Sequence, residues 1–152
     1  MDKPPVLAIE DNAIQRRLLS LLGEKLALNL TVVESCAAAV EAVQNSSFSL
    51  ILLDWSLGDA DGSECARRIR ELDSLRHEHT PIIAVTGRVM YGDREDCLRA
   101  GADDYLSKPF SFDQFRTAVH KWLRWKQHHV VKFVPQGDWQ TTDLGRGAGD
   151  LS

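Results

Sequence analysis

Short apolar runs and helical spacings alternate along the chain up to about residue 126. Residues 6–9 are continuously apolar and end in Glu10-Asp11-Asn12, after which Ile14, Leu18 and Leu22 recur at helical intervals. The pattern predicts a strand, then a helix with those three residues facing inward. Residues 28–33 read as a second strand, and Ser35 is placed to cap a helix with Ala39, Val40 and Val43 inside. Residues 48–53 are apolar throughout, as in a strand buried on both faces, and stop at Asp54. Beyond the turn-rich Gly58-Asp59-Ala60-Asp61-Gly62, a third helix is marked by Cys65, Ile69 and Leu72.

A fourth strand over 81–85 ends at Thr86-Gly87, and a helix over 93–100 follows that Gly101 can close in a left-handed cap. Residues 104–107 form the last strand, ended by Lys108-Pro109. Ser111 with Gln114 is a capping box for a helix burying Phe112, Phe115, Val119 and Trp122 and fading near Lys126. Such strand–helix alternation predicts an α/β fold, doubly wound around a parallel sheet.

The composition narrows the class. With 152 residues and 43% hydrophobic side chains, the chain describes one soluble globular domain, able to bury about 70% of its unfolded surface. A net charge of −4 argues against a surface built mainly for nucleic acid. No apolar stretch approaches the roughly 20 residues that cross a bilayer, and the N-terminus lacks a secretory pattern, so no membrane and a cytoplasmic location are expected. Cys36, Cys65 and Cys97 are odd in number and lack CxxC spacing, and read as buried small hydrophobes. Residues 1–4 are taken as an N-terminal extension, 5–126 as the domain, and the polar, glycine-rich 127–152 as a flexible tail or linker.

In an open parallel sheet, ligands bind beyond the carboxyl ends of the strands, where strand order reverses. The residues there are polar: Glu10 and Asp11, Asp54, Thr86, and Lys108. Three converging carboxylates repel unless a cation holds them, and hard oxygen ligands suit Mg²⁺. A hydroxyl and an ammonium handle phosphate. Together these are the parts for phosphoryl transfer to Asp54, and Gly87 leaves room for its N–H to approach a phosphoryl oxygen.

These residues, in this order on five strand–helix units, resemble the receiver domain of two-component response regulators over about residues 5–126. The resemblance rests on Glu10-Asp11, Leu52-Leu53-Asp54, Thr86 with a small residue after it, Tyr105, and Lys108-Pro109. The run over 92–109 is especially similar to receivers of hybrid histidine kinases. The resemblance implies a flavodoxin-like five-stranded sheet in order 2-1-3-4-5. It implies Mg²⁺ held by Glu10, Asp11, Asp54 and the Ser56 main-chain carbonyl. Asp54 would be the phosphoacceptor; Thr86 and Lys108 would act with it in catalysis, phosphate contacts coming from Trp55, Thr86, Gly87 and Lys108. Thr86 and Tyr105 would form the switch, and the Lys108-Pro109 bond would be cis.

The expected partner is a sensor histidine kinase or a histidine phosphotransfer protein. No DNA-binding output domain is expected in the chain, and a homodimer through the last helices is among the associations allowed. The domain would catalyse its own aspartyl phosphorylation and dephosphorylation without being a conventional turnover enzyme. Two features depart from the family pattern or limit what carries over. The loop Trp55-Ser56-Leu57-Gly58 lacks the proline common there and reads as looser, and phosphoryl lifetime, which depends on Ser56 and Arg88, does not transfer.

Other readings compete with this one. Any single strand-end polar residue is often just the chain leaving the core. A phosphohydrolase of the haloacid dehalogenase type would need a second aspartate where Ser56 stands, and a flavin carrier would not place Glu10-Asp11 against a phosphate. His77, His79, His128 and His129 lack a further metal ligand at a recognised spacing and read as exposed. The basic, aromatic stretch 121–126 suits a partner helix better than RNA or a membrane. Two alternatives remain for the whole: a receiver cut from a hybrid kinase that relays phosphate to a phosphotransfer domain, and an interaction module that works without phosphorylation.

Overall fold

The computed structural model describes residues 3–87, 93–133 and 139–143. Five strands, β1 (Pro5–Ile9), β2 (Asn29–Val33), β3 (Leu50–Asp54), β4 (Ile82–Thr86) and β5 (Asp104–Ser107), pair in parallel in the order β2-β1-β3-β4-β5. Between and after them run α1 (Ala13–Lys25), α2 (Cys36–Asn45), α3 (Gly62–Arg76), α4 (Asp93–Ala100) and α5 (Phe112–His128). This is the doubly wound, flavodoxin-like architecture expected.

Because side chains alternate along a strand, each central strand feeds two cores. Leu7, Ile9, Ile51, Leu53, Ile82 and Ala84 pack with Ala39, Val43, Cys65 and Ile69 of α2 and α3. Val6, Ala8, Leu50, Leu52, Ile83 and Val85 point the other way, onto Leu19 of α1 and Phe115 and Val119 of α5. Burial on both faces is why these strands read as unbroken apolar runs.

The inner face of α1 differs from expectation. Ile14 and Leu18 are 79% and 42% exposed, and the buried positions are Leu19 and Gly23, with Leu22 and Leu26 at the core's margin. A Cβ at Gly23 would come 2.9 Å from Leu30, so glycine lets α1 lie close to β2. Phe112 is half-buried rather than core, with the Lys25 ammonium 4.2 Å from its ring. Gly101 caps α4 at φ 122°, and the Ser111–Gln114 capping box opens α5, both as expected.

Cys36 and Cys65 are both fully buried but form a disulfide, their Cα atoms 5.6 Å apart. The sequence reading missed this pairing, because the two residues lie in the first turns of α2 and α3, which only the fold brings together. Cys97 is buried and stands outside the disulfide.

At the amino ends of the strands Arg70 of α3 donates to Asp73, Asp103 and the carbonyls of Thr80 and Gly101. Burial opposes the Asp103 charge, but hydrogen bonds from His79 and Ile82 and the Arg70 guanidinium outweigh it and hold its pKa below the ordinary value. Asp103→Ala is expected to cost about 2–3 kcal/mol, between a surface pair and a fully buried one. A carboxylate whose pKa is depressed by folding stabilises at pH above its unfolded value and loses that contribution as pH falls through its folded value. The gap between variant and wild type, read from urea unfolding, should therefore close on acidification below about pH 4.

His79 is half-buried and bonded to Asp103, and Trp125 stacks on His129 at a centroid distance of 4.5 Å. These histidines are thus built into the domain rather than exposed. So is the basic, aromatic end of α5, where Trp122 donates to Asp104 and Lys126 to the His79 carbonyl. α5 runs two residues past the expected end. After it β6 (His129–Phe133) and β7 (Trp139–Asp143) pair as an antiparallel ribbon, more secondary structure than the polar composition of 127–152 suggests. Arg88, Val89, Met90 and Tyr91, Val134, and the glycine-rich 145–149 lie outside the described residues.

Candidate functional site

Strand order turns back at β1, which lies between β2 and β3. Ile9 pairs with Leu53, so the next residues along, Glu10 and Asp54, emerge side by side at the carboxyl edge. Glu10 is 3% and Asp54 7% exposed, and Asp11 beside them faces solvent. Carboxylate oxygens of the three lie within 4.8 Å of one another. The turn is shaped locally: the Asn12 side chain caps α1 by accepting from the Gln15 amide, and the Asn12 amide donates to Glu10 Oε2.

Lys108 reaches this cluster from the end of β5. Its amide donates to the Thr86 carbonyl at 2.8 Å, and its Nζ donates to Glu10 Oε1 at 3.0 Å. The peptide bond to Pro109 is cis. Lys108 is half-buried and its partner is buried, so it is more than an exposed strand-end cation. Even so, burial raises the Glu10 pKa, and the hydrogen bond and charge of Asp54 add to it against the lowering influence of Lys108 and the Asn12 amide. The carboxylates remain under-neutralised, and an all-oxygen donor set in a partly open cleft fits a hard divalent cation.

Thr86, the last residue of β4, is 2% exposed, and Tyr105 on β5 is half-buried against the α2–α3–α4 core. Gly87 is exposed, and an added Cβ would meet nothing within 4 Å among the described residues.

The loop after Asp54 is tied down without the proline. The Ser56 amide donates to Asp54 Oδ1 at 3.0 Å, the Trp55 amide to the Val85 carbonyl, and the Gly62 amide to the Trp55 carbonyl. Gly62 is needed there, since a Cβ would come 2.5 Å from the Trp55 ring. Asp59 accepts from the Cys36 and Ala37 amides, and the Cys36 bond above all holds its pKa low. The loop is thereby fastened to the start of α2, and the expectation of a looser backbone is corrected.

Sequence reasoning also missed the residues around the acids. Asn12 carries the ordinary signal of a helix cap and could have been found. Asp59 and Arg16, whose guanidinium bonds the Glu10 and Asp11 carbonyls, carry none, because their partners are set by loop geometry.

A family model described as "Response regulator receiver domain" matches residues 6–120. The sensor protein GacS of Pseudomonas syringae pv. syringae is 36% identical over 120 residues, covering 78% of this chain and 13% of that protein. The signal transduction histidine-protein kinase BarA of Escherichia coli (strain K12) is 34% identical over 121 residues, 80% of this chain and 13% of that protein. The chain thus spans about an eighth of the length of these relatives. Among solved structures, the receiver domain of sensor histidine kinase PA1611 from Pseudomonas aeruginosa PAO1 aligns with a TM-score of 0.73 and 32% identity, over 80% of this chain and 98% of that one. That receiver carries a magnesium ion coordinated in its active-site cleft. The receiver domain of Saccharomyces cerevisiae Ssk1, solved with the histidine phosphotransfer protein Ypd1, aligns with a TM-score of 0.74 and 25% identity, over 80% of this chain and 89% of that one.

Proposed function

Since the chain belongs to the response regulator receiver domain family, we propose that it takes a phosphoryl group from a phosphohistidine protein onto Asp54, with Mg²⁺, and changes its surface in response. The observation that carries this reading is the cluster of Glu10, Asp11 and Asp54 with Lys108 against it at the sheet's carboxyl edge. A carboxylate oxygen of Asp54 attacks phosphorus as the bond to the donor imidazole nitrogen breaks, and the imidazole keeps that electron pair. Bound Mg²⁺ would supply charge neutralisation at the phosphoryl oxygens. Glu10, Asp11, Asp54 and the Ser56 carbonyl are the residues to hold it.

Lys108 exchanges its Glu10 partner for a phosphoryl oxygen, and the Thr86 hydroxyl donates to another. The Gly87 amide flanks the same position, whereas the Trp55 amide, the other main-chain contact expected, is already given to the Val85 carbonyl. Thr86 follows the phosphoryl group through its hydrogen bond, and the space it leaves lets Tyr105 turn inward, so that the response falls on α4, β5 and the exposed side of α5. Residues 5–126 act as the receiver unit in this reading, with 127–152 dispensable for phosphorylation. No described helix is long and apolar enough to cross a membrane; a cytoplasmic location is part of the proposal. The partner surface is the exposed apolar stripe of α1, Ile14, Leu18 and Leu21, on the helix that opens beside the acids.

A histidine phosphotransfer domain labelled on its histidine tests this directly: label should move to this chain when Mg²⁺ is present. Label retained on the histidine throughout would contradict the reading. Asp11→Asn should weaken Mg²⁺ binding about tenfold, since one formal charge leaves an exposed edge of the cluster. Titration followed by tryptophan fluorescence, with Trp55 next to Asp54, reads this out.

A further inference from the structure

The β1–α1 turn bears two of the three acids, and its main chain is held from outside by one side chain. Arg16, one turn into α1, donates through Nη1 to the Glu10 carbonyl at 3.1 Å and to the Asp11 carbonyl at 2.8 Å. Its Nη2 lies 3.5 Å from Glu34, which follows β2, and the arginine side chain is only 26% exposed. The guanidinium therefore joins three segments: the acidic turn, α1 and the end of β2.

We propose that Arg16 is a positioning residue for the metal site, fixing the backbone of Glu10 and Asp11 so that their carboxylates stay on one small volume. The inference rests on the reading of these acids as the Mg²⁺ site. A planar fork with fixed donors suits the task, because it can bond two successive carbonyls and still face a carboxylate. Those carbonyls lie in a turn that, among the described residues, no strand partner serves after Glu10 donates its amide to the Val33 carbonyl. Without the clamp, the turn gains freedom that Mg²⁺ binding must then remove. Outer residues that orient ligands typically carry a 10–100-fold share of metal affinity.

Charge alone predicts the opposite sign. Arg16 is a cation near a cation site, so deleting its charge should tighten Mg²⁺ binding if electrostatics were its only influence. The positioning role predicts weakening.

The test compares Arg16→Met, Arg16→Lys and Glu34→Gln with wild type in the full chain. Mg²⁺ half-saturation is read by tryptophan fluorescence, and the initial rate of phosphorylation by a small acyl phosphate is read at low and saturating Mg²⁺. Arg16→Met should raise half-saturation about tenfold, with the rate restored at saturating Mg²⁺. Arg16→Lys should recover part of the affinity, since an ammonium still donates to the carbonyls. Glu34→Gln should show a smaller loss in the same direction. If Arg16→Met fails to fold, Arg16→Lys decides: it keeps the charge and loses the planar fork, so weaker Mg²⁺ binding than wild type supports the positioning role and equal or tighter binding overturns it. Equal or tighter Mg²⁺ binding in the variants, or a rate that stays depressed at saturation, would overturn the positioning role alone. Absence of any Mg²⁺ response in wild type would instead remove the metal-site reading, and this role with it.

Discussion

Asp54→Asn should lose all acid-labile phosphorylation while keeping the fold. The substitution removes the nucleophilic oxygen pair but preserves shape, and an amide oxygen can still accept the hydrogen bond that the Ser56 amide gives Asp54 Oδ1. Asp54 is 7% exposed at the end of a strand whose other four residues are fully buried, so the position is set by the sheet and not by its own charge. The variant should even gain stability in Mg²⁺-free buffer, on the order of 1 kcal/mol, because one of three mutually repelling carboxylates is neutralised. Its Mg²⁺ affinity should fall for the same reason. Labelling is checked by intact mass and stability by thermal unfolding. Undiminished labelling would show that another residue is the acceptor.

Lys108→Ala should uncouple phosphorylation from response. In the structure the ammonium is bound to Glu10, 3.0 Å away, and the proposal moves it to a phosphoryl oxygen on Asp54. A hydrogen bond to a charged group is worth about 1.5–3 kcal/mol, so losing it should shrink the affinity difference between the two states for a state-selective partner by roughly tenfold or more. Lys108 also offsets the buried Glu10 charge, so the variant is not silent in the resting state: Glu10 should hold a proton to higher pH. Partner binding before and after phosphorylation is the measurement. A variant that responds as strongly as wild type would assign the charge link elsewhere.

The sheet and the acids were legible because both are dictated by local pattern. A parallel strand covered on two faces must be apolar at every position, and residues 50–53 and 82–85 obey that rule without exception. The acids stand directly after such runs, so locating the strands locates the cleft. α1 was harder to orient. Its Leu18-Leu19 and Leu21-Leu22 pairs offer apolar positions on more than one face, and periodicity cannot say which face meets the sheet. The structure buries Leu19 and leaves Ile14 in solvent. Contacts made across distant segments were not legible at all. Nothing in the sequence couples Cys36 to Cys65, Asp59 to the start of α2, or Arg70 to Asp103, since each depends on how separate helices are set against the sheet.

The central claim is a Mg²⁺-dependent phosphoryl transfer to one carboxylate. It is tested most directly by incubating the intact chain with a small acyl phosphate, with and without Mg²⁺, and trapping any acyl phosphate with borohydride before peptide mapping. The account predicts a single phosphoryl adduct by intact mass, formed only with Mg²⁺, and a reduced residue at position 54. No adduct in the presence of Mg²⁺, or an adduct mapped to any other residue, would contradict it.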